Sequence, residues 1–282
     1  MASPTSIRMR NVTVERGHRT AVSIEHLDIG PGVTALVGPN GSGKSTLLHA
    51  ITGLLRASGT IEVLGQQPAT ARAHVAYVLQ SQHASEHLLV TAREVVALGR
   101  AAGRGPFRPL AAADRDAVST AMERVEIADL ANHHLADMSG GQRQRVFVAQ
   151  GLAQEADVLL LDEPMAGLDL ASIQGVRRVI AEERAGGRTI VIATHDLGDA
   201  AQADQAVLID RRVIAAGPAA DVLTPAHLRT AYGARVLDLG DGSIAVDDGV
   251  HHADHEHHHH EHHEHQEPAG RHEQAERGDD KR

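Results

Sequence analysis

A glycine-rich stretch that contains a lysine and two hydroxyl side chains could do chemistry with phosphate. It fits the pattern G-x-x-x-x-G-K-[ST] and consists of Gly38, Pro39, Asn40, Gly41, Ser42, Gly43, Lys44, Ser45 and Thr46. Glycines let successive backbone N–H groups turn toward an oxyanion. The loop is therefore predicted to hold the phosphates of a nucleotide, with Lys44 between the β- and γ-phosphates and Ser45 on Mg²⁺. The alternative is a glycine-rich turn that contains Lys-Ser by chance.

The composition and the flanking residues favour the phosphate site. Of the 27 basic residues 25 are arginine, and the second lysine is Lys281. A lysine kept in this loop indicates a contact that a planar guanidinium cannot replace. Residues 33–37 predict a short buried strand before the loop, and residues 44–55 have helical spacing after it. The helix would add the partial positive charge of its amino end.

Two adjacent carboxylates, Asp162 and Glu163, follow the apolar residues 159–161. At the exit of a buried strand, Asp162 could hold Mg²⁺ directly or through water. Glu163 could accept a proton from the water that attacks the γ-phosphate. An acidic strand end is common by itself, and its position downstream of a phosphate loop is what favours the catalytic interpretation.

A second candidate for anion binding is the run Ser139, Gly140, Gly141 and Gln142, which precedes an apolar helix. A serine and two glycines at a helix start present a hydroxyl and backbone N–H groups outward. The alternative is a helix with an ordinary capping residue.

The periodicity of the apolar residues predicts an α/β fold that would position these groups. Residues 7–36 alternate in short bursts, which indicates an antiparallel sheet before the loop. A helical segment is predicted at about residues 88–155. Further strands are predicted at residues 60–65, 75–79, 156–161 and 189–193 and in a hairpin at 206–216. The strands at 156–161 and 189–193 are almost wholly apolar, as expected of parallel strands buried on both faces.

Residues 138–146 resemble the signature sequence of ATP-binding cassette (ABC) proteins, with Met138 where leucine is usual. The resemblance implies a P-loop NTPase cassette over residues 1–238, with an antiparallel β-subdomain at its start, a parallel-sheet core and the helical subdomain. It implies that Gln80 senses Mg²⁺ and the attacking water and connects to a transmembrane partner. It also implies that His195 contacts the γ-phosphate, although alone it would read as a structural histidine at a strand end.

Two further positions are assigned by the same resemblance. Residues 166–169, which end in Asp169, resemble the loop by which one subunit contacts the other near the catalytic carboxylate. Arg16 stands where the family usually has an aromatic residue that stacks on adenine, and an arginine plane can stack on a base as well.

The family resemblance implies a head-to-tail homodimer in which the phosphate loop of one subunit and Ser139 to Gln142 of the other enclose each ATP. Closure and opening would drive integral membrane permease subunits, which places the chain peripherally on the cytoplasmic face of the membrane. Residues 223–233 resemble the ending of ATPase subunits from zinc and manganese uptake systems, which also include an extracytoplasmic metal-binding protein.

The charge of −10 is concentrated at one end of the chain. Residues 241–282 carry 12 Asp and Glu against four Arg and Lys, a net −8, which leaves −2 for the rest. The folded part therefore gives no electrostatic case for nucleic acid binding. The chain has no cysteine, which excludes disulfides and thiolate metal sites. No signal peptide is recognised, and no apolar run approaches the roughly 20 residues that span a bilayer.

Residues 239–282 are predicted to be a disordered, acidic, histidine-rich tail. Its imidazoles suit Zn²⁺ or another divalent transition metal. They are His251, His252, His255, His257, His258, His259, His260, His262, His263 and His265. The alternatives are a solvated low-complexity segment or a cloning tag, and the interleaved Asp and Glu argue against a tag.

These observations leave three functional hypotheses. The first is the ATP-hydrolysing energy-coupling subunit of an ABC transporter that imports a divalent transition metal, zinc or manganese. The second is an ABC ATPase that assembles or remodels proteins without transport, such as an iron–sulfur assembly factor. The third treats the tail as the main function, a metal store or sensor attached to an ATPase.

Overall fold

The computed structural model of the chain describes residues 5–17, 19–79, 89–101, 109–233, 236–238 and 244–246. The strands are β1 (Ile7–Arg16), β2 (Arg19–Ile29), β3 (Gly32–Val37), β4 (Ser58–Val63), β5 (Val75–Val78), β6 (Val158–Asp162), β7 (Thr189–Thr194), β8 (Gln205–Ile209), β9 (Val213–Pro218), β10 (Val236–Asp238) and β11 (Ile244–Val246). The helices are α1 (Lys44–Ile51), α2 (Pro68–Ala71), α3 (Ala92–Ala101), α4 (Ala112–Arg124), α5 (Gly140–Ala153), α6 (Leu170–Ala185), α7 (Leu197–Ala201), α8 (Ala219–Val222) and α9 (Pro225–Tyr232).

The core is a sheet in the order β5-β6-β7-β3-β8-β9, in which β9 pairs antiparallel and the other strands are parallel. Every residue of β6 and β7 is buried, as the apolar patterns predicted. Because β3, β6 and β7 are parallel neighbours, their carboxyl ends lie side by side. The residues after these three strands are therefore brought to one edge of the sheet, where α/β folds bind their ligands.

A smaller antiparallel sheet, in the order β2-β1-β4, covers the phosphate-loop side of the core. Along β1, the alternating residues Ile7 and Met9 are buried and pack with the apolar residues of α1. The predicted antiparallel sheet is thus present, but the prediction was wrong to extend it to residue 36. Residues 32–36 belong to β3 in the parallel core, which confirms the separate prediction of a short buried strand at residues 33–37. Because β3 is buried on both faces, it lacks the alternation of a half-exposed strand.

The helices α3, α4 and α5 pack into one apolar cluster against β6 and α6. Thr91 caps α3, since its Oγ1 accepts from the backbone N of Glu94 at 3.3 Å while the Glu94 carboxylate accepts from the Thr91 N–H at 2.7 Å. This reciprocal pair is a capping box. Within the described residues no helix is both long and apolar enough to cross a membrane.

The helix after the phosphate loop is shorter than the apolar spacing predicted. It ends at Ile51 rather than Leu55, because Gly53 has φ 70° and the N–H groups of Leu54 and Leu55 both turn back to the oxygen of His49. Leu54 is 60% exposed as a result. Apolar spacing alone cannot locate a helix end that a left-handed glycine fixes.

The last two strands, β10 and β11, pair antiparallel. β11 lies within residues 239–282, which the sequence predicts to be disordered, so paired backbone extends to Val246. The rest of the predicted tail, with all ten named histidines, lies outside the described residues.

Asp114 is fully buried in α4, and its hydrogen bonds join α4 to α3 and to the residue before α4. Its carboxylate accepts from Arg100 Nε at 3.1 Å and from the backbone N of Ala111 at 2.8 Å. Asp114→Asn is expected to lower the free energy of unfolding by about 1 to 3 kcal/mol, because the amide NH₂ would face one of these two donors. Urea denaturation measures this, with the exposed Asp116→Asn as control. Equal losses in the two variants would contradict the prediction.

Candidate functional site

The phosphate loop predicted from the sequence lies between β3 and α1, and its glycines have backbone positions that favour glycine. A Cβ atom on Gly38 would come within 2.0 Å of the backbone oxygen of Ile209. Gly43, the residue before α1, has φ 105° in the left-handed region. Asn40 and Gly41 are exposed. The loop therefore curls onto the amino end of a helix, where backbone N–H groups and the helix dipole favour an anion.

Lys44 is the first residue of α1, with 7% of its surface exposed. Its Nζ donates to the backbone oxygens of Gly38 at 2.6 Å and Pro39 at 3.3 Å, so the ammonium lies over the loop. Ser42 Oγ in the same loop is buried and has no hydrogen-bond partner in the described part of the chain. A buried hydroxyl without a partner is rare in folded proteins, and this one fits an oxygen of a bound phosphate.

Asp162 is the last residue of β6, and α1 packs against this strand. It is buried, and Tyr77 Oη donates to its Oδ2 at 3.3 Å. Ser45 and Thr46 are in the first turn of α1. A buried carboxylate needs donors or a cation to offset the loss of water, and one long hydrogen bond supplies only part of this. Hydroxyl and carboxylate oxygens are ligands that Mg²⁺ takes in proteins, so these residues fit the ion.

Glu163 and His195 are brought together by the turns after β6 and β7, with His195 Nδ1 3.4 Å from Glu163 Oε1. The hydrogen bond from His195 lowers the pKa of Glu163, against the effect of burial, and the charge of Lys44 lowers it further. Glu163 has φ 48°, a conformation that non-glycine residues rarely adopt. Its N–H donates to the oxygen of Ala193 at 2.9 Å, which ties the turn to β7. The site therefore holds an ionised carboxylate beside a histidine and a lysine.

Ser139 and Gln142 form a reciprocal cap at the start of α5. Ser139 Oγ accepts from the backbone N of Gln142 at 3.2 Å, and Gln142 Oε1 accepts from the backbone N of Ser139 at 2.9 Å. Ser139 and Gly140 are exposed, and a Cβ atom on Gly140 would meet nothing within 4 Å. The helix start predicted from the sequence is thus exposed on the surface of the chain. The side chains of Ser139 and Gln142 each bind the backbone N–H of the other residue.

Asp169 caps α6, because its Oδ1 accepts from the backbone N of Ser172 at 2.7 Å. This hydrogen bond holds the pKa of Asp169 below its usual range. The loop before it packs on Gly141, whose Cβ would lie 3.4 Å from Leu168 Cδ2. Residues 166–169 are therefore held against the start of α5 within a single chain.

Arg16 is exposed at the end of β1, and its Nη2 lies 3.4 Å from His49 Nδ1 on α1. His49 in turn contacts Tyr77 edge-on, with ring centroids 5.4 Å apart. The sequence reasoning missed both His49 and Tyr77. Their positions in the sequence pointed to the site, since His49 lies in the helix that begins at Lys44 and Tyr77 lies three residues before Gln80. Only the order of the strands in the sheet, however, places both side chains near Asp162.

Gln80 and the ten histidines between residues 251 and 265 lie outside the described residues. In the described part of the chain, no group of three or more histidine, aspartate or glutamate side chains is placed to hold a metal ion. The groups that the structure brings together are Lys44, Glu163 and His195. With the loop and Asp162, they provide an anion cradle, oxygens for a divalent cation and a carboxylate that can accept a proton.

Comparisons with known proteins agree with this geometry. The family described as ABC transporter matches residues 26–166. The chain is 35% identical over 228 residues to the manganese transport system ATP-binding protein MntB of Halalkalibacterium halodurans, which covers 80% of this chain and 91% of that protein. It is 35% identical over 206 residues to the zinc transport system ATP-binding protein TroB of Treponema pallidum, with 72% and 77% covered.

The fold is also that of solved cassettes. An ATP-binding cassette of an ABC transporter, solved in its ADP conformation, has a TM-score of 0.69 at 23% identity, with 82% of this chain and 100% of that chain covered. Together, the phosphate loop, the carboxylates at the sheet edge and these relatives identify the chain. It belongs to the ABC transporter ATP-binding proteins and is an ATP-hydrolysing, energy-coupling subunit of that class.

Proposed function

We propose that the chain energises the uptake of a divalent transition metal, manganese or zinc, through membrane permease subunits. The observation that carries the proposal is the likeness to manganese and zinc transport system ATP-binding proteins over most of the chain. The proposed system includes an extracytoplasmic metal-binding protein, and the chain would lie on the cytoplasmic face of the membrane. The family assignment leaves the cargo open, so the proposal needs a transport experiment.

Within the site, the residues have the following proposed roles. The backbone N–H groups of residues 38–46 and the Lys44 ammonium bind the phosphates of ATP. Ser45, Asp162 and Gln80 hold Mg²⁺, which when bound neutralises developing charge on the phosphate oxygens. Glu163 accepts the proton of the attacking water, and His195 contacts the γ-phosphate. Arg16 stacks on the base with its exposed guanidinium. His49 Nδ1 orients this guanidinium by its contact with Arg16 Nη2.

Uptake of radiolabelled manganese and zinc by cells that lack the chain tests the transport proposal. We expect wild-type chain to restore uptake of one metal and Glu163→Gln not to restore it. Unchanged uptake in cells without the chain would contradict the proposal and favour an ATPase that assembles or remodels proteins. Co-purification with a polytopic membrane protein would support it independently.

We further propose that two copies face head to tail, so that Ser139, Gly140, Gly141 and Gln142 of one copy cover the ATP held by the loop of the other. The open amino end of α5 supports this, because its N–H groups and exposed residues can meet an anion from outside. Asp169, on the loop packed against Gly141, would reach the same interface.

Gly140→Arg tests the dimer, since the added side chain has open space within its own chain but would obstruct a partner. In a Glu163→Gln background with ATP, light scattering is expected to show a dimer. The additional change Gly140→Arg is expected to leave a monomer. Gly175→Arg, in α6 with equally open space, is the matched control and should still dimerise. A dimer that tolerates Gly140→Arg would exclude this arrangement.

The histidine-rich tail is proposed to bind Zn²⁺ or another divalent transition metal as a buffer or sensor. The ten imidazoles in residues 251–265 support this by composition. Removal of residues 249–282, which retains the β10–β11 pair, is expected to abolish zinc binding by the purified chain at low zinc and to leave ATP turnover intact. Metal-dependent growth and uptake that survive the truncation would exclude storage in the tail as the main function.

A further inference from the structure

Tyr77 lies on β5 beside β6 and reaches the carboxylate at the end of that strand. Its register partner on β6 is Leu160, and its hydroxyl extends along the strand to donate to Asp162 Oδ2 at 3.3 Å. Among the described residues, Tyr77 is the one donor of a hydrogen bond to the buried Asp162 carboxylate. A donor on one carboxylate oxygen restricts rotation of the group, and the other oxygen can then face a cation.

His49 holds the ring of Tyr77 from the side of α1. Its ring meets the phenol edge-on at an interplanar angle of 89°, a favourable arrangement for aromatic pairs. On the other side of the His49 ring, Nδ1 lies 3.4 Å from Arg16 Nη2, within hydrogen-bond distance. Arg16, His49, Tyr77 and Asp162 therefore form a continuous series from the exposed end of β1 to the proposed metal ligand.

The protonation states suit these contacts. Burial lowers the pKa of His49, and Arg16 lowers it further, so the ring is neutral at neutral pH and can accept from the guanidinium. Burial raises the pKa of Tyr77, and the charge of Asp162 raises it further. In the contact with Asp162, the phenolic O–H is the donor and the carboxylate is the acceptor.

We propose that Tyr77 is a positioning residue for Asp162: its hydroxyl holds the carboxylate in the orientation that receives Mg²⁺ with ATP, and His49 keeps Tyr77 in place. The premise is that Asp162 is a magnesium ligand, as proposed above. Groups that orient a metal ligand typically change metal affinity or activity by about 10- to 100-fold when they are removed. The single hydrogen bond of 3.3 Å suggests the lower end of that range.

The test is a titration of the full chain with a fluorescent ATP analogue, first in EDTA and then at increasing Mg²⁺. Tyr77→Phe removes only the hydroxyl, so affinity in EDTA is expected to match wild type. The Mg²⁺ concentration for half of the metal-dependent change is expected to rise about 10-fold. The chain has two tyrosines, and Tyr232→Phe in α9 removes the same hydroxyl from a buried ring outside the site.

His49 variants separate the two parts of the proposal. His49→Phe keeps a ring against Tyr77 but removes the acceptor for Arg16, so its affinity for the ATP analogue in EDTA is expected to fall. The Mg²⁺ concentration for half of the metal-dependent change should stay that of wild type. His49→Ala should give a smaller shift of the same kind as Tyr77→Phe, with the melting temperature of each variant measured in parallel. If Tyr77→Phe folds poorly, the comparison of His49→Ala with His49→Phe still tests whether the position of Tyr77 sets the Mg²⁺ dependence.

The outcomes distinguish this proposal from its premise. Equal Mg²⁺ dependence in Tyr77→Phe and Tyr232→Phe would overturn the positioning role and leave the nucleotide site intact. Equal weakening of Tyr77→Phe with and without Mg²⁺ would also overturn it, because the hydroxyl would then act on the fold alone. Wild-type chain that binds ATP without any effect of Mg²⁺ would overturn the assignment of Asp162 and this proposal together.

Discussion

Glu163→Gln is expected to lower ATP turnover by about 10²- to 10⁴-fold while ATP binding is retained. Glutamine keeps the shape of the side chain, and its amide oxygen can still accept from His195, which lies 3.4 Å from Glu163 Oε1. It cannot accept a proton from water. Because loss of the negative charge also removes repulsion toward phosphate, binding is expected to stay at least as tight as in wild type.

The measurement is steady-state phosphate release, with ATP affinity measured separately by titration. Glu123→Gln is the matched control, because Glu123 is exposed on α4 and should turn over ATP as wild type does. Normal turnover in Glu163→Gln would exclude Glu163 as the proton acceptor. Loss of ATP binding in this variant would instead indicate that the carboxylate supports the loop.

The lowered pKa of Glu163 adds a prediction about pH. A carboxylate whose pKa lies below its usual range stays ionised from about pH 6 to 8. Its stabilising contact with His195 is present at neutral pH and is lost only as the pH falls through that lowered pKa. An acid limb of turnover between about pH 6 and 8 is therefore expected to arise from a group other than Glu163.

Lys44→Ala is expected to weaken ATP binding by about 10- to 100-fold, as the loss of a charged hydrogen-bond donor worth about 1.5 to 3 kcal/mol implies. The ammonium is buried and lies over the loop, at 2.6 Å from the oxygen of Gly38. Its removal takes away both the proposed contact to phosphate and the hydrogen bonds to the loop. Titration with a fluorescent ATP analogue measures the loss.

The sequence offers a matched control for this change, because Lys281 is the second of the two lysines. Lys281→Ala should bind ATP as wild type does. Lys44→Arg should also bind poorly, since a planar guanidinium does not fit where a compact ammonium is enclosed. ATP affinity in Lys44→Ala equal to that of wild type would show that the lysine serves the loop and not the nucleotide.

The sequence alone was sufficient to predict the local structure of the loop, the strand end and the helix start that form the candidate site. The phosphate loop, the carboxylates after an apolar strand and the helix start at Ser139 are each specified within a few residues. Glycine conformations, capping side chains and strand periodicity act over such short distances, so they can be read from spacing. The family, the fold class and the ATPase activity follow from these elements, and the comparisons confirm them.

The tertiary structure decided which of these elements share a surface. Tyr77 and Asp162 are separated by 85 positions and meet because β5 and β6 are neighbours in the sheet. Glu163 and His195 meet for the corresponding reason at the ends of β6 and β7. The place of β3 between β7 and β8 also depended on pairing with strands far away in the sequence. Strand order arises from the pairing of segments far apart in the chain, and spacing within one segment contains no information about it.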